Sequence, residues 1–149
     1  LVPEAVAAHR GAIVALAALA LALDGVDGWL ARRAGLVSDF GARFDMEVDC
    51  ILAAILALLL LRTVDGAFVV PALLVLGFAR YAFVVAAWMW PWLRGDLPDR
   101  ISRKAVCVAQ IGALIAVLAM PALAPILPLA ALAVLWSFAR DVRWLARRR

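Results

Sequence analysis

Histidine is almost absent from this chain of 149 residues: there is one, His9, near the first residue. That excludes a histidine-based metal centre, which needs several such ligands. Cysteine is nearly as scarce. Cys50 and Cys107 lie in apolar stretches without CxxC spacing, and read as buried free thiols. Charged residues make up only 17% of the chain. No internal repeat and no low-complexity linker is visible. The apolar run from Gly11 leads into Asp24 and Asp27 rather than into a small-residue cleavage site, so no signal peptide is read.

What the chain has instead is apolar surface. It is 68% hydrophobic, with a mean hydropathy of +1.02. A soluble globular protein is nearer about half apolar. A core of this size cannot hide so much apolar surface from water, so lipid is the expected solvent. Lys and Arg together number 15 against 11 for Asp and Glu, with a pI near 10.0. Nucleic acid is not the expected partner, because the basic residues sit between long apolar runs, as in the positive loops of a membrane protein.

The expected fold is all-α: a polytopic membrane bundle of five helices forming a single domain over residues 1–149. The first helix runs from about Gly11 to Arg33, followed by a loop from Ala34 to Phe40. The others run from about Gly41 to Leu61, Ala67 to Trp90 and Ser102 to Met120, with a fifth after Pro121, Pro125 and Pro128 that ends in a basic tail, Asp141 to Arg149. Asp65-Gly66 marks one turn and the two prolines of Pro91 to Arg100 a loop. The runs are continuous rather than alternating, which excludes lipid-exposed strands. Arg32, Arg33, Arg43, Arg94, Arg100, Arg103, Lys104 and the terminal arginines fall on one side of a five-span layout, and Arg62 alone on the other. The first connection and the C-terminus are therefore expected to be cytoplasmic.

Four aspartates stand at the ends of two apolar helices. A carboxylate at membrane depth costs a few kcal/mol unless something compensates it. At about 100° per residue, Asp24, Asp27, Gly28 and Ala31 share one helical face, and Gly41, Asp45 and Asp49 share a face of the next. The short loop between makes the helices antiparallel neighbours, so the four carboxylates are expected to converge. Four such groups repel, and hard divalent cations, one or two, relieve the repulsion. Gly28, Ala31 and Gly41 leave room for close approach to the backbone. Arg32 beside that face suits a diphosphate.

This stretch resembles the signature of the CDP-alcohol phosphotransferase family, D-x2-D-G-x2-A-R-x8-G-x3-D-x3-D, with Asp24, Asp27, Gly28, Ala31, Arg32, Gly41, Asp45 and Asp49 at its fixed positions. The resemblance implies a six-span fold of which the first helix is expected to be missing here, since the chain begins at Leu1, and a homodimer. It implies that Asp24, Asp27 and Asp45 hold Mg2+ or Mn2+, with Asp49 close enough to share an ion and serving as general base. Gly28, Ala31, Arg32 and Gly41 would contact the CDP moiety of CDP-diacylglycerol. An alcohol would attack the lipid-bearing phosphate and CMP would leave.

Other residues carry weaker expectations. Arg80, in the middle of the third helix, is expected to face the bundle interior, binding an acceptor phosphate or steadying the carboxylates. Arg100, Arg103 and Lys104 form a candidate anion pocket for a phosphorylated acceptor, with headgroup contact as the plain alternative. These basic residues favour a phosphorylated polyol such as glycerol phosphate or inositol phosphate. Asp39 and Glu47 fall off the shared faces and read as rim residues. Gln110 either lines the cavity or bonds another helix. Trp88, Trp90, Trp92, Trp136 and Trp144 read as interfacial anchors. The competing functions are an intramembrane prenyltransferase, against which the Gly28, Ala31, Arg32 and Gly41 pattern argues, and a non-enzymatic divalent-cation carrier, which usually shows repeats and midplane sites. The expected home is the inner (cytoplasmic) membrane.

Overall fold

The computed structural model describes residues 2–35, 38–95 and 101–147. Five helices carry them: α1 (Val2–Ala34), α2 (Asp39–Leu60), α3 (Val69–Met89), α4 (Ile101–Ala119) and α5 (Ile126–Ala146). Short 3₁₀ turns at Pro91–Arg94 and Pro121–Leu123 lead out of α3 and into α5. No strand occurs among the described residues.

Helix ends differ from the sequence expectation where local chemistry extends them. α1 begins at Val2, well before Gly11, because Pro3 and Glu4 suit a first turn and nothing between them and Gly11 breaks a helix. It ends at Gly35, whose φ of 68° lies in the left-handed region that a helix terminus commonly uses. At 33 residues, α1 exceeds the ~20 residues that cross a bilayer core. α2 begins at Asp39, capped by Ser38, whose hydroxyl accepts from the Gly41 amide at 3.0 Å. The basic tail is not a tail as far as Ala146: α5 continues through it, with Leu145 buried.

α2, α3, α5 and α4 close a ring, each against its two neighbours, and α1 lies outside it. α1 runs chiefly along α4 and touches α2 only lightly. This corrects the expectation that the first two helices are close neighbours: a short loop sets their direction, but α4 supplies the better surface. The core is one-ended. Leu56 and Leu60 of α2, Leu73 and Leu76 of α3, Ile111, Leu114, Val117 and Leu118 of α4 and Leu127 of α5 are fully enclosed. Among the described residues of α1, Val6 and Ala17 alone are buried. Gly77 brings α3 hard against α2: a Cβ there would stand 2.8 Å from the Cβ of Ala57, the close small-residue approach that membrane helices favour.

Outside the core the surface is apolar. Phe40, Phe44, Val48, Ile51, Ile55 and Leu58 are exposed along α2, a stripe of period 3.6 far larger than water tolerates on a monomer. Among the described residues two helical stretches, Glu4–Ala34 and Val69–Met89, are long and apolar enough to cross a membrane. α2 and α5 have the length, but each carries charges at one end. Together these features make a membrane helix bundle.

Candidate active site

The charged ends of the helices meet at one end of the bundle. α2 and α4 begin there, and α1, α3 and α5 finish there, so that the motif residues of α1 and α2 meet side chains of α4. Asp24 of α1 lies close enough to Asp45 and Asp49 of α2 for the carboxylates to repel one another. Lys104 of α4 places its Nζ 3.7 Å from Asp45 Oδ2. Cys107, one turn on, directs its thiol to Asp49 Oδ2 at 3.5 Å. Three of the four aspartates are therefore brought together. Asp27 is exposed.

The cationic side of the site is built over Gly28. A Cβ at Gly28 would stand 3.4 Å from Arg32 Nη1 and 3.5 Å from Lys104 Nζ. Two cations thus lie across one stretch of bare backbone, beside three carboxylates. At Gly41 a Cβ would press on the capping Ser38 Oγ at 3.1 Å, so the glycine also eases the first turn of α2. Ala31 is half-buried on α1.

Residues expected at the acceptor side are not all together. Arg80 does not reach the aspartates; its Nη2 donates to Glu47 Oε1 at 2.6 Å. Arg100 and the side chain of Arg103 lie outside the described residues, as does the side chain of Asp39. Lys104 sits with Arg32 over Gly28 and beside Asp45. Gln110 bonds another helix, donating to the Leu76 carbonyl of α3. Glu47, expected at the rim, pairs there with Arg80, and Cys107, expected as a free thiol, is one and contacts Asp49. The signal for Glu47 was Arg80 itself, since an arginine in a membrane helix calls for an anion nearby. Cys107 had no such signal. Of the tryptophans expected as anchors, Trp88, Trp90 and Trp136 are exposed and Trp92 and Trp144 half-buried.

Divalent metal is tested by the donor set. All the donors are carboxylate oxygens, the choice of Mg2+ and Mn2+, and three of them crowd together with one ammonium against them. Among the described residues no three side chains are grouped tightly enough to hold an ion as they stand. The chemistry of Asp24, Asp45 and Asp49 fits a hard cation that would draw them closer.

The comparison with known families decides the wider question. The family model for CDP-alcohol phosphatidyltransferase matches residues 2–138, almost the whole chain. The chain belongs to the CDP-alcohol phosphatidyltransferase family. No curated protein and no solved structure is similar enough to be matched. As a CDP-alcohol phosphatidyltransferase, the chain is a membrane transferase of phospholipid synthesis, taking a phosphatidyl group from a CDP-alcohol donor to an alcohol acceptor. The family works with divalent metal ions.

Proposed function

We propose that this phosphatidyltransferase uses CDP-diacylglycerol, passes the phosphatidyl group to a phosphorylated polyol such as glycerol phosphate or inositol phosphate, and releases CMP. The observation that carries the donor side is the meeting of Asp24, Asp45 and Asp49 with Arg32 and Lys104 over the bare backbone of Gly28. The cations receive the diphosphate, and the absence of a side chain at Gly28 lets it come close. Ala31 and Gly41 complete the nucleotide side. Asp24, Asp27, Asp45 and Asp49 would hold Mg2+ or Mn2+, which when bound neutralises charge on the diphosphate and the departing CMP. Asp49 takes the proton of the attacking hydroxyl, its carboxylate oriented by the Cys107 thiol. Arg80, with Arg100 and Arg103, would receive the acceptor phosphate, and Lys104 stands between the two substrates.

The excess of arginine at this end of the bundle supports a cytoplasmic site in an inner membrane, and the exposed apolar faces leave room for a homodimer. The reading is tested by incubating the protein in lipid with CDP-diacylglycerol, Mg2+ or Mn2+, and a panel of free and phosphorylated alcohols. The expected result is metal-dependent CMP release with a phosphorylated polyol, lost in Asp49→Asn. Equal release with neutral alcohols, undiminished in Arg80→Ala, would overturn the acceptor; no release with any alcohol would overturn the donor.

A further inference from the structure

Glu47 stands between Asp45 and Asp49 in the chain yet faces another way. Two residues along a helix are about 200° apart, so Glu47 turns from the aspartate face toward α3. There its Oε1 takes the Nη2 proton of Arg80 at 2.6 Å. The grip is single-pronged: Arg80 Nε is buried and has no hydrogen-bond partner. With a rise of about 1.5 Å per residue, Glu47 also holds the guanidinium at nearly the depth of Asp45 and Asp49.

We propose that Glu47 is a positioning residue that keeps Arg80 off the aspartate cluster, so that Asp24, Asp45 and Asp49 stay open to a divalent cation. This rests on the reading of that cluster as a cation site. Arginine keeps its charge and, within a membrane bundle, must find an anion. Released from Glu47, it has Asp45 and Asp49, each two residues from Glu47, as the next carboxylates along α2. A guanidinium that grips a carboxylate in fork geometry occupies the oxygens that a metal needs. Glu47 takes up that charge on the opposite face of the same helix turn.

The test is Mn2+ binding to the purified full chain without substrates, read from the electron paramagnetic resonance signal of free Mn2+. Glu47→Ala is expected to weaken binding about tenfold, the scale of one charge-assisted hydrogen bond. Arg80→Ala should bind as the parent does or tighter, and Glu47→Ala with Arg80→Ala should regain parental binding. If Glu47→Ala does not fold, Glu47→Gln, which keeps the acceptor atom but loses the charge, should shift binding the same way by less. Parental binding in folded Glu47→Ala or Glu47→Gln overturns the proposal. So does a double variant as weak as Glu47→Ala, which marks a merely structural loss. A parent chain that binds no Mn2+ overturns instead the cation-site reading on which the proposal rests.

Discussion

At the end of the bundle where Leu56, Leu60, Leu73, Leu118 and Leu127 meet, the side chains are wholly enclosed and apolar. At the other end Asp24, Asp45, Asp49, Arg80 and Lys104 all keep part of their surface accessible. Helices α2 to α5 make the first, and α1 joins α2, α3 and α4 at the second by supplying Asp24. Close packing at one end fixes the helix spacing, and the other end is then held open for charge and for small molecules. The contrast implies that damage at the two ends should be read by different instruments: stability for the leucines, turnover for the acids.

Asp49→Asn and Leu73→Ala test that division and carry the largest expected effects. Asp49→Asn should cost about 10²–10⁴-fold in CMP release, the range for a lost general base, while its melting temperature stays at the parental value or rises as like charges are thinned. Leu73→Ala should lose about 2–5 kcal/mol of stability through the cavity it leaves, measured by thermal unfolding in detergent, with its Mn2+ dependence unchanged at a temperature where it is folded. A Leu73→Ala protein with altered metal response, or an Asp49→Asn protein that melts early, would show that the ends are not separable.

Gly77 lies between the two regions and sharpens the comparison. A methyl there would meet Ala57 Cβ at 2.8 Å, with the α2 backbone at Ala54 Cα 3.5 Å away. Neither neighbour has a flexible side chain to move. Gly77→Ala should therefore destabilise by about 1–3 kcal/mol, the usual range for overpacking. Because α2 must shift from α3 to admit it, the Glu47–Arg80 pair one turn away should loosen as well. Melting should fall first and acceptor KM rise after it. An unshifted melting temperature would mean that α2 and α3 are not in rigid contact.

How far this could be read from the residues alone depended on the range of the contacts. The five helices are local events, set by hydropathy and by prolines such as Pro91 and Pro121. They were placed to within a few residues except at the start of α1 and the end of α5, where polar residues continue a helix. The face arithmetic that groups Asp45 with Asp49 is also local, and it correctly turns Glu47 away from them. What it does not contain is the partner on the far side. Lys104 beside Gly28 and Cys107 on Asp49 depend on α4 lying next to α1 and α2, and Gln110 on the Leu76 carbonyl on its reach across the ring to α3, packing choices between helices of similar Ala and Leu content. Charge alone was informative at a distance: an arginine at position 80 required an anion, and Glu47 was an acid of α2 without another task.

The smallest expected effect belongs to Cys107. Its thiol is a weak donor, and the contact with Asp49 Oδ2 is long at 3.5 Å. An ordinary hydrogen bond contributes about 0.5–1.5 kcal/mol net, so Cys107→Ala should lower the turnover rate by about threefold at most, with CDP-diacylglycerol KM unchanged. Cys107→Ser offers a stronger donor in nearly the same place and should match the parent or exceed it. The pair of variants separates orientation from packing. If serine fails as alanine does, the sulfur matters for its bulk between α2 and α4, and Cys107 belongs with the leucines. If alanine falls a hundredfold while serine does not, the donor to Asp49 is part of the chemistry, and α4 supplies the reacting carboxylate with more than a neighbour.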